Sequence, residues 1–248
     1  MFNSSGSVFK NFPAVTKNLL IINILMWLAQ ITLPKAGINL TELLGLHFWI
    51  ASDFNPAQLF TYMFLHSDND FTHLFFNMFS LLMFGPLLER TLGSKRFLFY
   101  YLSCGLGAAL VQEVVWQFTW KEIFAPFFAN AGGWTMEQAY QAIDTALANG
   151  DNIPALNALL TIGASGSIFG ILLAFGMLFP NLPLYLMFIP IPIKAKYMVI
   201  GYGAIEFFFG ISGTMSSVAH FAHLGGMLFG LIILFIWKKK GNIGGNYF

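Results

Sequence analysis

Six stretches of this chain approach the roughly 20 apolar residues that an α-helix needs to cross a bilayer. They fall at residues 18–33, 70–88, 97–118, 158–179, 197–212 and 216–237. No other feature constrains the fold as strongly. In lipid, backbone N–H and C=O groups have no water to bond and must pair within the segment, which selects helices. The expected fold is all-α, a polytopic bundle of six transmembrane helices. Composition agrees, because only 9% of residues are charged where a soluble domain carries about 25%. So few charges cannot cover a water-soluble globule, and lipid must be the solvent for much of the surface. The net charge of +1 argues against a nucleic-acid binder. Cys104 is the one cysteine, which rules out an intrachain disulfide and argues against a thiolate metal cluster.

Lys10 and Lys17 precede the first apolar run, but no small-residue cleavage site follows it, so it reads as a retained helix. Two of the runs are short for a simple span and predict tilt or local bilayer thinning. Between the fourth and fifth runs, Pro180, Pro183, Pro190 and Pro192 break any helix and predict a loop or shallow segment. Lysine and arginine set the orientation. An even number of spans puts both termini on one side, with Lys10, Lys17, Arg90, Lys95, Arg96, Lys194, Lys196 and Lys238 to Lys240. Only Lys35 and Lys121 fall opposite, which predicts cytoplasmic termini. The layout is a single membrane domain over residues 1–248, with tails at 1–17 and 238–248. Residues 34–69 form an outer interfacial segment in which His47 lies in the headgroup layer. Residues 119–157 form an outer insertion, in which 135–148 is a short amphipathic helix with Thr135 as its cap.

Polar groups at membrane depth are costly and mark function. His73 and Asn77 are four apart and share a helix face. Ser165 sits in Gly163-Ala164-Ser165-Gly166, and His220 and His223 open the last run. Counted from the run starts, Ser165, His223 and Asn77 each lie about seven residues inside, a common depth of roughly 10 Å. Gly166, Gly170 and Ala174 repeat every four residues, as do Ala222, Gly226 and Gly230. Small residues at that spacing let two membrane helices meet closely, which brings the Ser165 hydroxyl to the His223 imidazole. A hydroxyl whose proton a neutral imidazole can take is an acyl-transfer nucleophile. The Asn77 amide, the His73 imidazole and the Ser165 N–H can serve the developing oxyanion. Phe169 is one turn after Ser165 and can stack on the imidazole, and glycines beside Ser165 leave room for a substrate backbone. No Asp or Glu stands ready to orient His223, so a dyad is expected. His220 and His66 read as packing residues, and Glu206 as a hydrogen-bonded structural acid.

These stretches resemble the rhomboid family. The likeness rests on the serine motif at 163–166, on His73-Leu74-Phe75-Phe76-Asn77, and on Ala222-His223-Leu224-Gly225-Gly226 with Gly230. Glu89-Arg90 with Gly93 to Phe97, and the proline-rich run ending at Lys196-Tyr197, add to it. Together they cover about residues 55–230. The resemblance implies an intramembrane serine endopeptidase that cuts transmembrane protein substrates within or beside their membrane segment. It implies Ser165 as nucleophile, His223 as base, His73 and Asn77 at the oxyanion, a mobile fifth helix as substrate gate, and no cofactor. The chain departs from the pattern in three places. His66 and His73 are seven apart rather than about five, position 169 is Phe where some members carry Tyr, and the 119–157 connection is long.

Three other readings compete. A catalytically inactive relative would bind transmembrane helices without cutting them, but such proteins lose the serine or the histidine. A metal protein using His66, His73, His220 and His223 lacks an H-E-x-x-H pattern and leaves the serine motif unexplained. A transporter would show paired broken helices or an inverted repeat, and neither is present. No metal is expected. A bacterial inner membrane fits the absence of organelle signals, and the sequence does not set the oligomeric state.

Overall fold

The computed structural model describes residues 12–185, 192–212 and 219–241. Lys10, Pro190 and the ends of both tails lie outside these residues. Among the described residues the chain forms helices α1 (Ala14–Thr32), α2 (Leu40–Leu44), α3 (Gln58–Thr61), α4 (Phe71–Leu92), α5 (Ser94–Gly132), α6 (Met136–Asn149), α7 (Ser165–Leu178), α8 (Ala195–Ser212) and α9 (His220–Lys239). Four of them are long and apolar enough to cross a membrane: α1 with its 3-10 extension to Ala36, α4, α5 and α9. α7 is apolar but only 14 residues long, and α8 carries Lys196 and Glu206. Of the six expected spans, four are thus long and apolar enough among the described residues, while α7 is shorter and α8 more polar.

α5, α7 and α9 form the centre of the bundle, and small residues are the reason they can. A Cβ placed on Gly226 of α9 would lie 1.9 Å from the carbonyl oxygen of Gly166 on α7. One on Gly166 would lie 2.4 Å from the Cβ of Ala108 on α5. At Gly170 the obstacle is Cys104 Sγ at 2.4 Å, and at Gly230 it is the Tyr100 hydroxyl at 2.3 Å. The close approach also lets side chains bond main chain between helices. Tyr100 donates to Gly170 O at 2.9 Å, and Ser167 to Tyr101 O at 2.8 Å. α1 packs outside on α4 and shows lipid the apolar residues Ile21, Ile22, Leu25 and Leu28.

Glu89, near the end of α4, ties together the starts of α1 and α5. It accepts from the Val15 and Thr16 amides and the Thr16 hydroxyl at the start of α1, and from the Ser94 hydroxyl at the start of α5. A carboxylate at a helix N-terminus satisfies donors that lack an intrahelical partner.

Segment 34–69, expected at the outer interface, is a folded unit. Gln58 is buried and accepts from the His47 and Asn55 amides, while its own amide donates to Leu43 O and Asp53 O. His47, expected at the interface, is fully buried, because strand β1 (Leu46–His47) pairs antiparallel with β2 (Leu160–Thr161). That ladder also corrects the fourth span. Within the helix expected from 158, Ala158 ends a 3-10 turn, Leu160–Thr161 are held extended by the ladder, and α7 begins only at Ser165. α5 differs in the other direction. Its 39 residues reach about 58 Å, well beyond a hydrocarbon layer of about 30 Å. The first part of the expected insertion therefore continues α5. α6 follows, with Thr135 and Gln138 forming a reciprocal capping box. The proline-rich stretch holds two short strands, β3 (Pro183–Tyr185) and β4 (Pro192–Lys194), paired antiparallel.

Candidate active site

Ser165 is the first residue of α7, and the turn before it depends on Gly163. Gly163 has φ 132°, a backbone region that side chains disfavour. A Cβ there would sit 2.8 Å from His73 Nε2 and 3.6 Å from Ser165 Oγ. The Gly163 amide is anchored to Tyr62 O at 3.0 Å. Gly163 thus provides both the turn and the space beside the hydroxyl.

The α7–α9 seam sets Ser165 against His223. His223 Nε2 lies 2.7 Å from Ser165 Oγ. The imidazole stacks on Phe169 with centroids 4.3 Å apart and planes at 7°, so the phenyl ring alone supplies the stacking surface. His223 is only 8% exposed. The count of about seven residues from each helix start, expected for Ser165, His223 and Asn77, is corrected by the helix boundaries. Asn77 is the seventh residue of α4, but Ser165 opens α7 and His223 is the fourth residue of α9. What brings Ser165 and His223 together is glycine contact between helices.

His73 comes from the first turn of α4, whose N-cap Asp70 accepts from the Thr72 amide. The Ser67 N–H donates to His73 Nδ1 at 3.3 Å. Nδ1 is then an acceptor, and in a neutral ring the proton resides on Nε2, the nitrogen that faces Gly163 and Ser165. Asn77 donates from Nδ2 to His73 O at 2.8 Å, which leaves its second amide hydrogen for a ligand. His66 packs edge-on against His73 at 5.2 Å. Burial, with the adjoining His73, pushes the His66 imidazole down to about 3, so it adds no cation beside His73. Neither His66 ring nitrogen has a hydrogen-bond partner among the described residues.

Ser165, His223, His73 and Asn77 line one cavity of about 1160 Å³. Its far walls are Phe76 and Met83 of α4 and Met198 and Tyr202 of α8. The cavity thus combines a hydroxyl, a base and polar donors with an apolar surface.

One expectation is overturned. Glu206 of α8 places Oε2 3.0 Å from His223 Nδ1, so a carboxylate does reach the imidazole on the side away from Ser165. The same oxygen is 2.7 Å from His220 Nδ1. Sequence spacing could not pair Glu206 with residues 14 and 17 positions away on another helix. The available signal was an acid inside an apolar run. Glu206, His220 and His223 also bring one ligand atom each within 4.8 Å of the others, as do Glu42, His47 and Asp53. Histidine and carboxylate are donor types that zinc takes.

Known proteins share stretches of this chain. The pattern defining the Rhomboid domain matches residues 53–240. The rhomboid protease AarA of Providencia stuartii is 30% identical over 174 residues, 69% of this chain and 52% of that protein. The putative rhomboid protease YdcA of Bacillus subtilis is 35% identical over 97 residues, 38% of this chain and 46% of that protein. The chain spans about half the length of these curated relatives. With the domain pattern covering most of its length and several apolar helices around the site, this multi-pass membrane protein belongs to the rhomboid family.

Proposed function

We propose that the protein is an intramembrane serine endopeptidase that cleaves transmembrane segments of membrane-protein substrates. The observation that carries this reading is the 2.7 Å contact between His223 Nε2 and Ser165 Oγ in a cavity walled by apolar side chains. A substrate helix approaches from the bilayer, and its unwound end enters the cavity between the α4 and α8 walls. α7 and α8 complete a six-helix bundle, both termini face the cytoplasm, and the bilayer is a bacterial inner membrane.

Ser165 Oγ attacks the scissile carbonyl carbon while its proton passes to His223 Nε2. The carbonyl oxygen becomes an oxyanion, held by the Ser165 N–H, the His73 Nε2–H and the free Asn77 amide hydrogen. His223 returns its proton to the leaving amine as the C–N bond breaks. A water molecule, deprotonated by His223, then releases the acyl group and regenerates the Ser165 hydroxyl. Gly163 and Gly166 supply the turn and clearance for Ser165, Gly226 brings α9 to it, and Phe169 holds the base.

The test is labelling by a fluorophosphonate probe of wild type, Ser165→Ala and His223→Ala, with and without a chelator. The proposal expects strong labelling of wild type alone, unaffected by chelator. Absence of labelling of folded wild type in lipid would favour a helix-binding relative without catalysis. Loss of labelling on chelation would point instead to a metal at Glu206, His220 and His223.

A further inference from the structure

We propose that Glu206 is a positioning residue for this reaction, its charge favouring the proton on Nδ1 of His223 so that Nε2 faces Ser165 unprotonated. The inference rests on the reading of Ser165 and His223 as nucleophile and base. A neutral imidazole carries one proton, and it can accept the Ser165 proton at Nε2 only if its own proton is on Nδ1. Nothing on the Ser165 side selects that tautomer, because a hydroxyl can donate or accept. The carboxylate of Glu206, an acceptor when ionised, is 3.0 Å from Nδ1 and does select it.

The geometry shows how this is done. The His223 ring plane is set by stacking on Phe169, not by Glu206. Oε2 sits off the ring's N–H direction, so Nδ1 makes no aligned hydrogen bond. The carboxylate is itself held by His220, one helical turn before His223, at 2.7 Å. Glu206 thus acts on His223 mainly through charge, from a position braced by His220. Ser165 and His223 ride on α7 and α9, but Glu206 rides on α8, which also walls the cavity. The base is therefore correctly set only while α8 is docked.

The experiment measures kcat and KM on a reporter transmembrane substrate in liposomes for wild type, Glu206→Gln and Glu206→Asp, with Ser165→Ala as the inactive control. Glu206→Gln keeps the shape and removes the charge. The expected result is a kcat lowered by about 10- to 100-fold with KM within about twofold, the range for losing one charge-assisted contact. Glu206→Asp should recover part of the loss. Nitrogen NMR of the histidine-labelled wild type, with His223 assigned by its loss in His223→Ala, should show His223 as the Nδ1–H tautomer. Wild-type kcat in Glu206→Gln, or an Nε2–H tautomer of His223 in wild type, would overturn the inference while the protease reading stands. If Glu206→Gln fails to fold, Glu206→Asp and the wild-type tautomer decide. A wild type as inactive as Ser165→Ala overturns the protease reading, and this inference with it.

Discussion

Gly226→Ala tests whether helix packing creates the site. The added Cβ would sit 1.9 Å from Gly166 O, where a relaxed carbon–oxygen contact needs about 3.3 Å. α9 must then retreat from α7 by about 1.4 Å, because the obstacle is backbone and cannot rotate away. Added to the Nε2–Oγ separation of 2.7 Å, the same retreat gives about 4 Å, beyond hydrogen-bond reach. A misplacement of about 1 Å costs on the order of 10²-fold in rate, and overpacking costs about 1–3 kcal/mol of stability. The assay is the rate of fluorophosphonate labelling beside thermal unfolding in the same detergent. Gly201→Ala is the control, since a Cβ there meets nothing within 4 Å on a helix of the same bundle. The reasoning predicts labelling slowed about 100-fold or more in Gly226→Ala, and a wild-type rate in Gly201→Ala. A folded Gly226→Ala protein that labels at the wild-type rate would refute the claim that this contact sets the Ser165–His223 distance.

Three further outcomes follow from the same geometry. Asn77→Ala should lower kcat by about 10²- to 10³-fold with little change in KM, the loss typical of one oxyanion donor, and steady-state cleavage of a reporter substrate checks it. The unfolded chain protonates His66 near 6.5 and the folded protein only near 3, so stability is full above 6.5 and falls as pH drops toward 3, by up to about 5 kcal/mol. Asp70, whose carboxyl is held low by its bonds to Thr72, acts in the same direction; melting temperatures across pH 7 to 5 should fall less in His66→Phe than in wild type. Glu89→Ala strands the amides of Val15 and Thr16 and the hydroxyls of Thr16 and Ser94, and should cost about 2–4 kcal/mol, read as a lower melting temperature.

The candidate site was legible because polar residues in apolar helices are few and each needs a reason. Ser165, His223, His73 and Asn77 stood out on that ground, and the glycine repeats at 166/170 and 226/230 showed which helices could close on each other. The local structure around them was less legible. Residues 158–164 are as apolar as a membrane span, yet Leu160–Thr161 pair with Leu46–His47 as a strand and the helix starts only at Ser165. α5 runs past its apolar stretch through Lys121, Glu122 and Pro126, where hydropathy signals an end but backbone bonding continues. His47 looked interfacial beside Phe48 and Trp49, and is instead covered where β1 meets β2. Glu206 was visible as an anomaly in α8, but its partners lie on α9, and spacing along one helix says nothing about the rotation of two helices against each other.

The most direct test of the central claim reconstitutes the protein in liposomes with a single-pass reporter substrate and compares wild type with an equally folded Ser165→Ala variant. Cleavage within or beside the reporter's transmembrane segment by wild type alone is the predicted result. Cleavage by both, or by neither, would contradict the assignment of Ser165 as the nucleophile of an intramembrane protease.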